Sequence, residues 1–361
     1  MSLRSVASAF VATTSLFVTT GCASNDPTDP AAITQSRPGA QPSVDSIAIP
    51  NGARVFVWSR GRELLVIPLP SYAIEMGATD INDAGQVVGY VSLDNAGYTR
   101  AFIWSAADGY REIGSLNGPE GPAIAMSVNA TGTVTGLSVG PEGILNGPMG
   151  IPLPHAFVWT AESGMKSLGK ISELISIGPV NAGGTIVGQR KEGTFFWNAV
   201  TGIEALPFPP GTTCSRPVDM NDKGQVLGYA GSAKDCFEFN SPFIWNVDGS
   251  QILIEKCDLS LWCSTGVKAI NNRGEVTGYR NGTAFRWSSS GGFVRIPIAD
   301  ATGEAINDSG DVAGAIWKDQ KSTPFVWMAS GEITMIKLPT GASSGYARAI
   351  NGKGQIVGNF R

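Results

Sequence analysis

From residue 53 onward one pattern of apolar and polar positions returns along the chain: an apolar residue, Asn, two variable residues, Gly, two further residues, a small or polar one, and a second Gly. The asparagines are Asn82, Asn129, Asn181, Asn221, Asn271, Asn307 and Asn351. Gly stands at the third following position (Gly85, Gly132, Gly184, Gly224, Gly274, Gly310, Gly354) and at the seventh (Gly89, Gly136, Gly188, Gly228, Gly278, Gly314, Gly358). A second element, Phe-x-Trp, occurs at Phe56/Trp58, Phe102/Trp104, Phe157/Trp159, Phe195/Trp197, Phe243/Trp245, Phe285/Trp287 and Phe325/Trp327. Strand side chains alternate, so both rings of each pair share the face that packs on a neighbouring sheet. A short turn and a closing apolar strand follow, as in Leu64–Leu69, Arg111–Leu116, Ile203–Leu206, Phe293–Ile298 and Ile333–Leu338. The unit predicts four strands: a ends at Asn, b runs through the second Gly, c carries Phe and Trp, and d closes.

Successive asparagines lie 47, 52, 40, 50, 36 and 44 residues apart. Four short strands per unit at this spacing, each with an aromatic marker, fit propeller blades. A solenoid would begin and end in atypical caps. Here the pattern opens with strands c and d at Phe56–Leu69 and finishes with a and b at Ala349–Phe360. Pairing the two halves completes a seventh blade and leaves no exposed edge. The expected architecture over residues 51–361 is therefore all-β, a seven-bladed propeller of four-stranded antiparallel blades. Its closing blade takes two strands from each terminus.

Within each unit Asn reads as an Asx turn and the first Gly as the left-handed residue of the a–b hairpin. The second Gly reads as a point where strands crowd near the axis or a sheet comes close. Asp follows Asn in three copies (Asp83, Asp222, Asp308), a weak hint of calcium. The other copies carry Ala130, Ala182, Asn272 and Gly352, and none has a dense acidic ligand set, so no metal or other cofactor is expected.

Composition sharpens this picture. Among 361 residues there are 46 glycines and 22 prolines, which favours strands and turns over long helices. Lys and Arg total 26 against 30 Asp and Glu, with no basic block, so nucleic acid lacks an electrostatic landing site. Phosphate-loop, dinucleotide, zinc-protease and nucleophile-elbow motifs are missing.

Residues 1–21 read as an export signal, with Arg4 ahead of the apolar stretch Val6–Val18. With Gly21–Cys22 following, they resemble a bacterial lipoprotein signal. That resemblance implies acylation of Cys22, a lipid as the sole membrane anchor, and, from Ala23 and Ser24, an outer-membrane or surface location. An ordinary secretory signal cut near Ala23 is the alternative. Residues 22–50 are poor in large apolar side chains and read as a disordered spacer.

The repeat itself resembles the bacterial HAF repeat family of extracellular proteins. The match rests on His155-Ala156-Phe157-Val158-Trp159, on Ala101-Phe102-Ile103-Trp104 and Ala284-Phe285-Arg286-Trp287, and on Asn82–Tyr90. It covers most of residues 53–361 and implies an exported repeat protein, but brings no catalytic residues.

The a–b and c–d turns share one face of a propeller and are short here. Nearly all long connections (91–99, 137–155, 169–177, 207–217, 230–241, 255–267) are b–c or d–a loops of the other face. Binding residues gather on loops held by a rigid scaffold, so the elaborated face is the expected working surface. Cys214, Cys236, Cys257 and Cys263 all fall there, and export permits their oxidation. Cys214–Cys236 with Cys257–Cys263 is the expected pairing, and two other pairings exist. Of the nine tryptophans only Trp262 and Trp317 lie outside the repeat, both on this face, as candidates for stacking on a sugar, a peptide or an apolar side chain. Each could instead pack on a neighbouring loop. Tyr90, Tyr229 and Tyr279, directly after the second Gly, are further candidates with a competing role at the strand end. His155, the only histidine, opens a repeat strand and reads as structural.

The expected function is thus a monomeric, non-catalytic binding or scaffold module recognising a protein or glycan through the b–c and d–a face. A structural component of envelope assembly is one alternative. A polysaccharide hydrolase or lyase is another, and it requires two carboxylates converging on the axis.

Overall fold

The computed structural model describes residues 52–94, 98–141, 154–170, 174–190, 193–207, 209–231, 241–256 and 265–361. Among them 28 strands form seven four-stranded antiparallel sheets. In blade 1 strands a to d are Glu75–Ile81, Val87–Ser92, Thr99–Ser105 and Gly109–Glu112. Blades 2 to 6 repeat this order, with a strands Ala123–Val128, Leu174–Val180, Cys214–Met220, Thr265–Ile270 and Ala301–Ile306. Blade 7 takes a and b from Gly345–Ile350 and Ile356–Phe360, and c and d from Arg54–Trp58 and Leu65–Val66. Its central pairing joins Phe56 to Gly358, so the ring closes as the two half-units predict.

Buried apolar side chains among the described residues fall into seven clusters, each spanning two neighbouring blades. The Phe-x-Trp pair is why. Phe102 and Trp104 bury against blade 7, while Ile103 between them turns to blade 2. Each fully buried aromatic contributes about 1.5–3 kcal/mol of transfer free energy, so the pairs dominate the contact between blades.

The second Gly pairs directly with that Phe in every blade, as Gly89 with Phe102 and Gly314 with Phe325. A carbonyl of strand a aims at the same spot. A Cβ on Gly89 would lie 2.0 Å from the Gly77 oxygen, and one on Gly278 would lie 1.9 Å from that of Gly266. The crowding anticipated at this position is thus the inner strand's own backbone.

The d strands end earlier than the apolar pattern suggests, for example at Met335 rather than Leu338. The next residue still donates one backbone hydrogen bond to strand c and is buried, as Ile67, Ile113, Ile296 and Ile336 show. An apolar anchor beyond the last ladder pair extends the sequence pattern past the strand.

The a–b turns carry the second repeat element. In all seven, Asn Oδ1 accepts a 2.9 Å bond from the backbone N–H four residues on. The first Gly has φ between 73 and 86° throughout, the left-handed conformation the hairpin demands. The Asn side chain also reaches beyond its own turn. Its Nδ2 donates to the backbone carbonyl of the next blade's Asn at 2.8 to 3.3 Å in six of the seven blades, and all seven asparagines are buried.

Candidate ligand site at the mouth of the axial channel

The seven a strands surround the axis, and each carries a β-bulge just ahead of its Asn. A bulge leaves a residue outside the ladder and re-aims its side chain. The bulged residues are Thr79, Met126, Val218, Lys268, Glu304 and Arg348, with Gly178 and Pro179 in blade 3. Blades 1 to 4 therefore contribute neutral positions and blades 5 to 7 a charged strip. Lys268 and Glu304 pair at 3.3 Å. Arg348 makes no hydrogen bond or ion pair with another described residue. Its charge acts on Asp80 and Tyr90 of blade 1.

One residue before the end of the bulged segment, blades 1 and 4 carry aspartate where blades 5, 6 and 7 carry Ala269, Ala305 and Ala349. Asp80 accepts from the Ile81 N–H at 2.8 Å and, in blade 2, from the Val128 N–H and Ser127 hydroxyl at 2.9 Å each. Asp219 accepts from the N–H groups of Met220 and Ile270, both at 2.8 Å. Each carboxylate thus ties its own strand to the next blade. Burial raises both carboxyl pKa values against these bonds, Asp219 to about 7, and the Asp80 charge adds to the rise at Asp219.

Towards the elaborated face the mouth becomes aromatic. Tyr346, two residues before Arg348, lies against Trp317 of blade 6 with ring centroids 6.4 Å apart and planes 28° apart. Its hydroxyl accepts from Asn359 Nδ2 at 3.2 Å, and Asn359 also accepts from the Ala78 N–H of blade 1 at 2.8 Å. Trp317 is 48% exposed. Glu75 accepts from the Ser92 hydroxyl at 3.0 Å. Burial first, and then the Glu75 charge, push the Tyr90 hydroxyl up to about 12.

The structure separates the sequence candidates. Trp317 is exposed on the elaborated face, and Tyr279 is 41% exposed over Gly266. Tyr90 and Tyr229 are half-buried and have structural work: Tyr90 covers Gly77, and the Tyr229 oxygen accepts from the Val267 N–H of blade 5 at 2.8 Å. Arg216 sits 4.9 Å from the Tyr229 ring centre. Tyr346, Arg348, Asp80 and Asp219 escaped sequence reasoning. The available signal was a charged or aromatic residue at a repeat position that other copies fill with small or apolar ones. His155 is buried on strand c of blade 2, away from the inner strands, and its Nδ1 bonds the Ser167 hydroxyl at 2.9 Å.

Asp83, Asp222 and Asp308 have a use other than calcium. Asp83 accepts from the Gly352 N–H at 2.6 Å, Asp222 from Ala182 at 2.7 Å and Asp308 from Asn272 at 2.8 Å, each capping the preceding blade's turn. Among the described residues no group of three or more His, Cys, Asp or Glu could hold a metal. Cys214 is disulfide-bonded. Cys22, Trp262, Cys236, Cys257 and Cys263 lie outside the described residues, as do the signal and spacer up to residue 51.

No family model and no curated protein matches the chain. Solved structures do. A streptogramin B lyase is 11% identical at a TM-score of 0.50, over 85% of this chain and 98% of that one. A catalytically inactive virginiamycin B lyase from Staphylococcus aureus with quinupristin is also 11% identical at a TM-score of 0.50, over 82% and 98%. At such identity the likeness shows the propeller fold alone. That fold is compatible with a binding surface or an enzymatic one.

Proposed function

We propose that this chain is an exported binding module that seats a protein or glycan over the mouth of the axial channel, on the face of the b–c and d–a loops. The half-exposed Trp317 ring lying on Tyr346 carries this reading, because a supported aromatic face beside charged inner-strand residues suits stacking on a sugar or an apolar side chain. Membership of the HAF repeat family, a lipid at Cys22, an outer-membrane or surface location and a monomeric state belong to the same proposal. The test is a glycan and envelope-protein screen on wild type and Trp317→Ala. Hits that survive the substitution unweakened would remove the mouth from consideration.

A second reading, a hydrolase or lyase of polysaccharide, is favoured by Asp80 and Asp219, two inner-strand carboxyls whose pKa values burial raises, as an acid of such a pair requires. Binding ranks first because both carboxylates are already committed to backbone N–H groups. Chain cleavage of a bound polysaccharide that Asp219→Asn abolishes, with binding retained, would reverse this order.

A further inference from the structure

We propose that the ligand at the channel mouth is an acidic glycan, whose uronate carboxylate is gripped by Arg348 while a sugar ring stacks on Trp317. This rests on the mouth being the binding site. The charged groups of the mouth are accounted for one by one. Lys268 and Glu304 neutralise each other at 3.3 Å. Glu75 holds the Ser92 hydroxyl, and its charge is felt by Arg54. Asp80 and Asp219 spend their oxygens on backbone and hydroxyl donors of their own and the next blade, and Asp80 feels the Arg348 charge without bonding it. Arg216 lies over the Tyr229 ring, its Nε buried without an acceptor.

Arg348 differs from Arg216 in having no aromatic ring beneath it as well as no acceptor among the described residues. It is half-buried, placed outside the ladder by the bulge between Ala347 and Ala349, and left without a hydrogen-bond or ion-pair partner among the described residues. A partly desolvated guanidinium with its donors unused is matched by a planar anion that takes two parallel N–H bonds. Tyr346 stands two residues earlier on the same strand and supports the Trp317 ring. A carboxylate binder and a stacking platform therefore share one short segment of blade 7 and its neighbour. A uronic acid presents both complements in one residue: a carboxylate at one end and an apolar ring face. A neutral sugar leaves the Arg348 N–H donors unused, and a bare carboxylate leaves the platform unused.

The probe is a trigalacturonate and its carboxyl-reduced trigalactoside counterpart, titrated by calorimetry and Trp emission into the purified full-length chain. Wild type is expected to bind the acid at least about tenfold more tightly than the reduced form, the scale of one charge-assisted bidentate contact. Arg348→Gln should erase the preference, Arg348→Lys should restore part of it, and Trp317→Ala should weaken both probes alike. Circular dichroism melts of each variant separate lost contacts from lost folding. Equal binding of the two probes to wild type, a preference that survives Arg348→Gln, or no binding of either would overturn the proposal. Equal binding that Trp317→Ala weakens would overturn the carboxylate alone and leave the mouth as the site. Binding of both probes that Trp317→Ala leaves untouched would remove the mouth itself.

Discussion

The side-chain amide of Asn351 donates to the backbone carbonyl of Asn82 at 2.9 Å, joining residues 269 apart in sequence and linking the last blade to the first in a run of six such bonds that is open only between Asn181 and Asn221. The same side chain accepts from the Gln355 N–H at 2.9 Å, so one residue shapes its turn and locks its blade to the first. Because Asn351 is buried, removing it takes a partner from three backbone groups, the N–H groups of Lys353 and Gln355 and the Asn82 carbonyl.

Asn351→Ala is accordingly expected to lower unfolding free energy by about 1–3 kcal/mol. Asn351→Asp keeps the turn acceptor but loses the donor to Asn82, so it should also destabilise. Urea denaturation checks both. A change inside about 0.5 kcal/mol for Asn351→Ala, the usual range of a surface substitution, would mean this bond adds nothing to closure.

Gly278→Ala tests the crowding between strands a and b. The new Cβ would sit 1.9 Å from the Gly266 oxygen and 3.0 Å from the Val267 Cα, both backbone, so the inner strand itself must move. A loss of at least about 3 kcal/mol, beyond ordinary overpacking, is expected. Gly183→Ala is the control: its Cβ would meet only Asn181 Oδ1, at 3.4 Å, and the turn should tolerate it. Equal melting temperatures for the two variants would refute the account.

These tests also mark how far the sequence was legible. Blade number, strand order and the mixed closing blade followed from residues that recur in every copy, such as Gly358 opposite Phe56. What recurs is set by backbone geometry, and backbone geometry is shared by all blades. The bonds between blades were half visible: Asn82 reads as a turn former, but its donation to the Asn129 carbonyl depends on blades 47 residues apart standing side by side. The candidate site was least legible, since it lies where copies differ. Asp80 and Asp219 look like surface carboxylates until the bulged strand buries them against the backbone of the next blade. Tyr346 drew no notice because nothing in its own blade reveals that Trp317 will lie on it.

The disulfide of Cys214 gives a chemical test of the elaborated face. Cys214 opens strand a of blade 4, opposite Gly231 at the end of strand b. A bond to Cys236, five residues beyond Gly231, would staple the b–c connection to that pair, and Cys257–Cys263 would form a separate local loop. Peptide mapping under non-reducing conditions should find these two pairs. Cys236→Ser should expose one thiol, at Cys214, and cost about 3 kcal/mol for a loop of this size. Recovery of Cys214 linked to Cys257 or Cys263 would replace this connectivity.

The pH dependence of stability follows from the axial carboxyls. Asp219 has its folded pKa raised to about 7 from 3.8, so the folded chain binds this proton more tightly than the unfolded chain. Its protonation contributes stability that is fully present below the unfolded value and is lost as pH rises through the folded one. Between those limits the slope for one proton is at most about 1.4 kcal/mol per pH unit, and Asp80, raised for the same reason, acts in the same direction. Asp219→Asn removes the titration but offers one oxygen where two N–H groups, of Met220 and Ile270, now find separate acceptors. The variant should therefore be less stable than wild type at pH 5, by about 1–3 kcal/mol for the orphaned donor together with the lost proton binding, and the deficit should shrink by pH 8. Chemical denaturation of both proteins across that range reads the difference directly. A deficit that stays constant with pH would show that Asp219 ionises normally in the folded chain, and the axial acid pair would lose its basis.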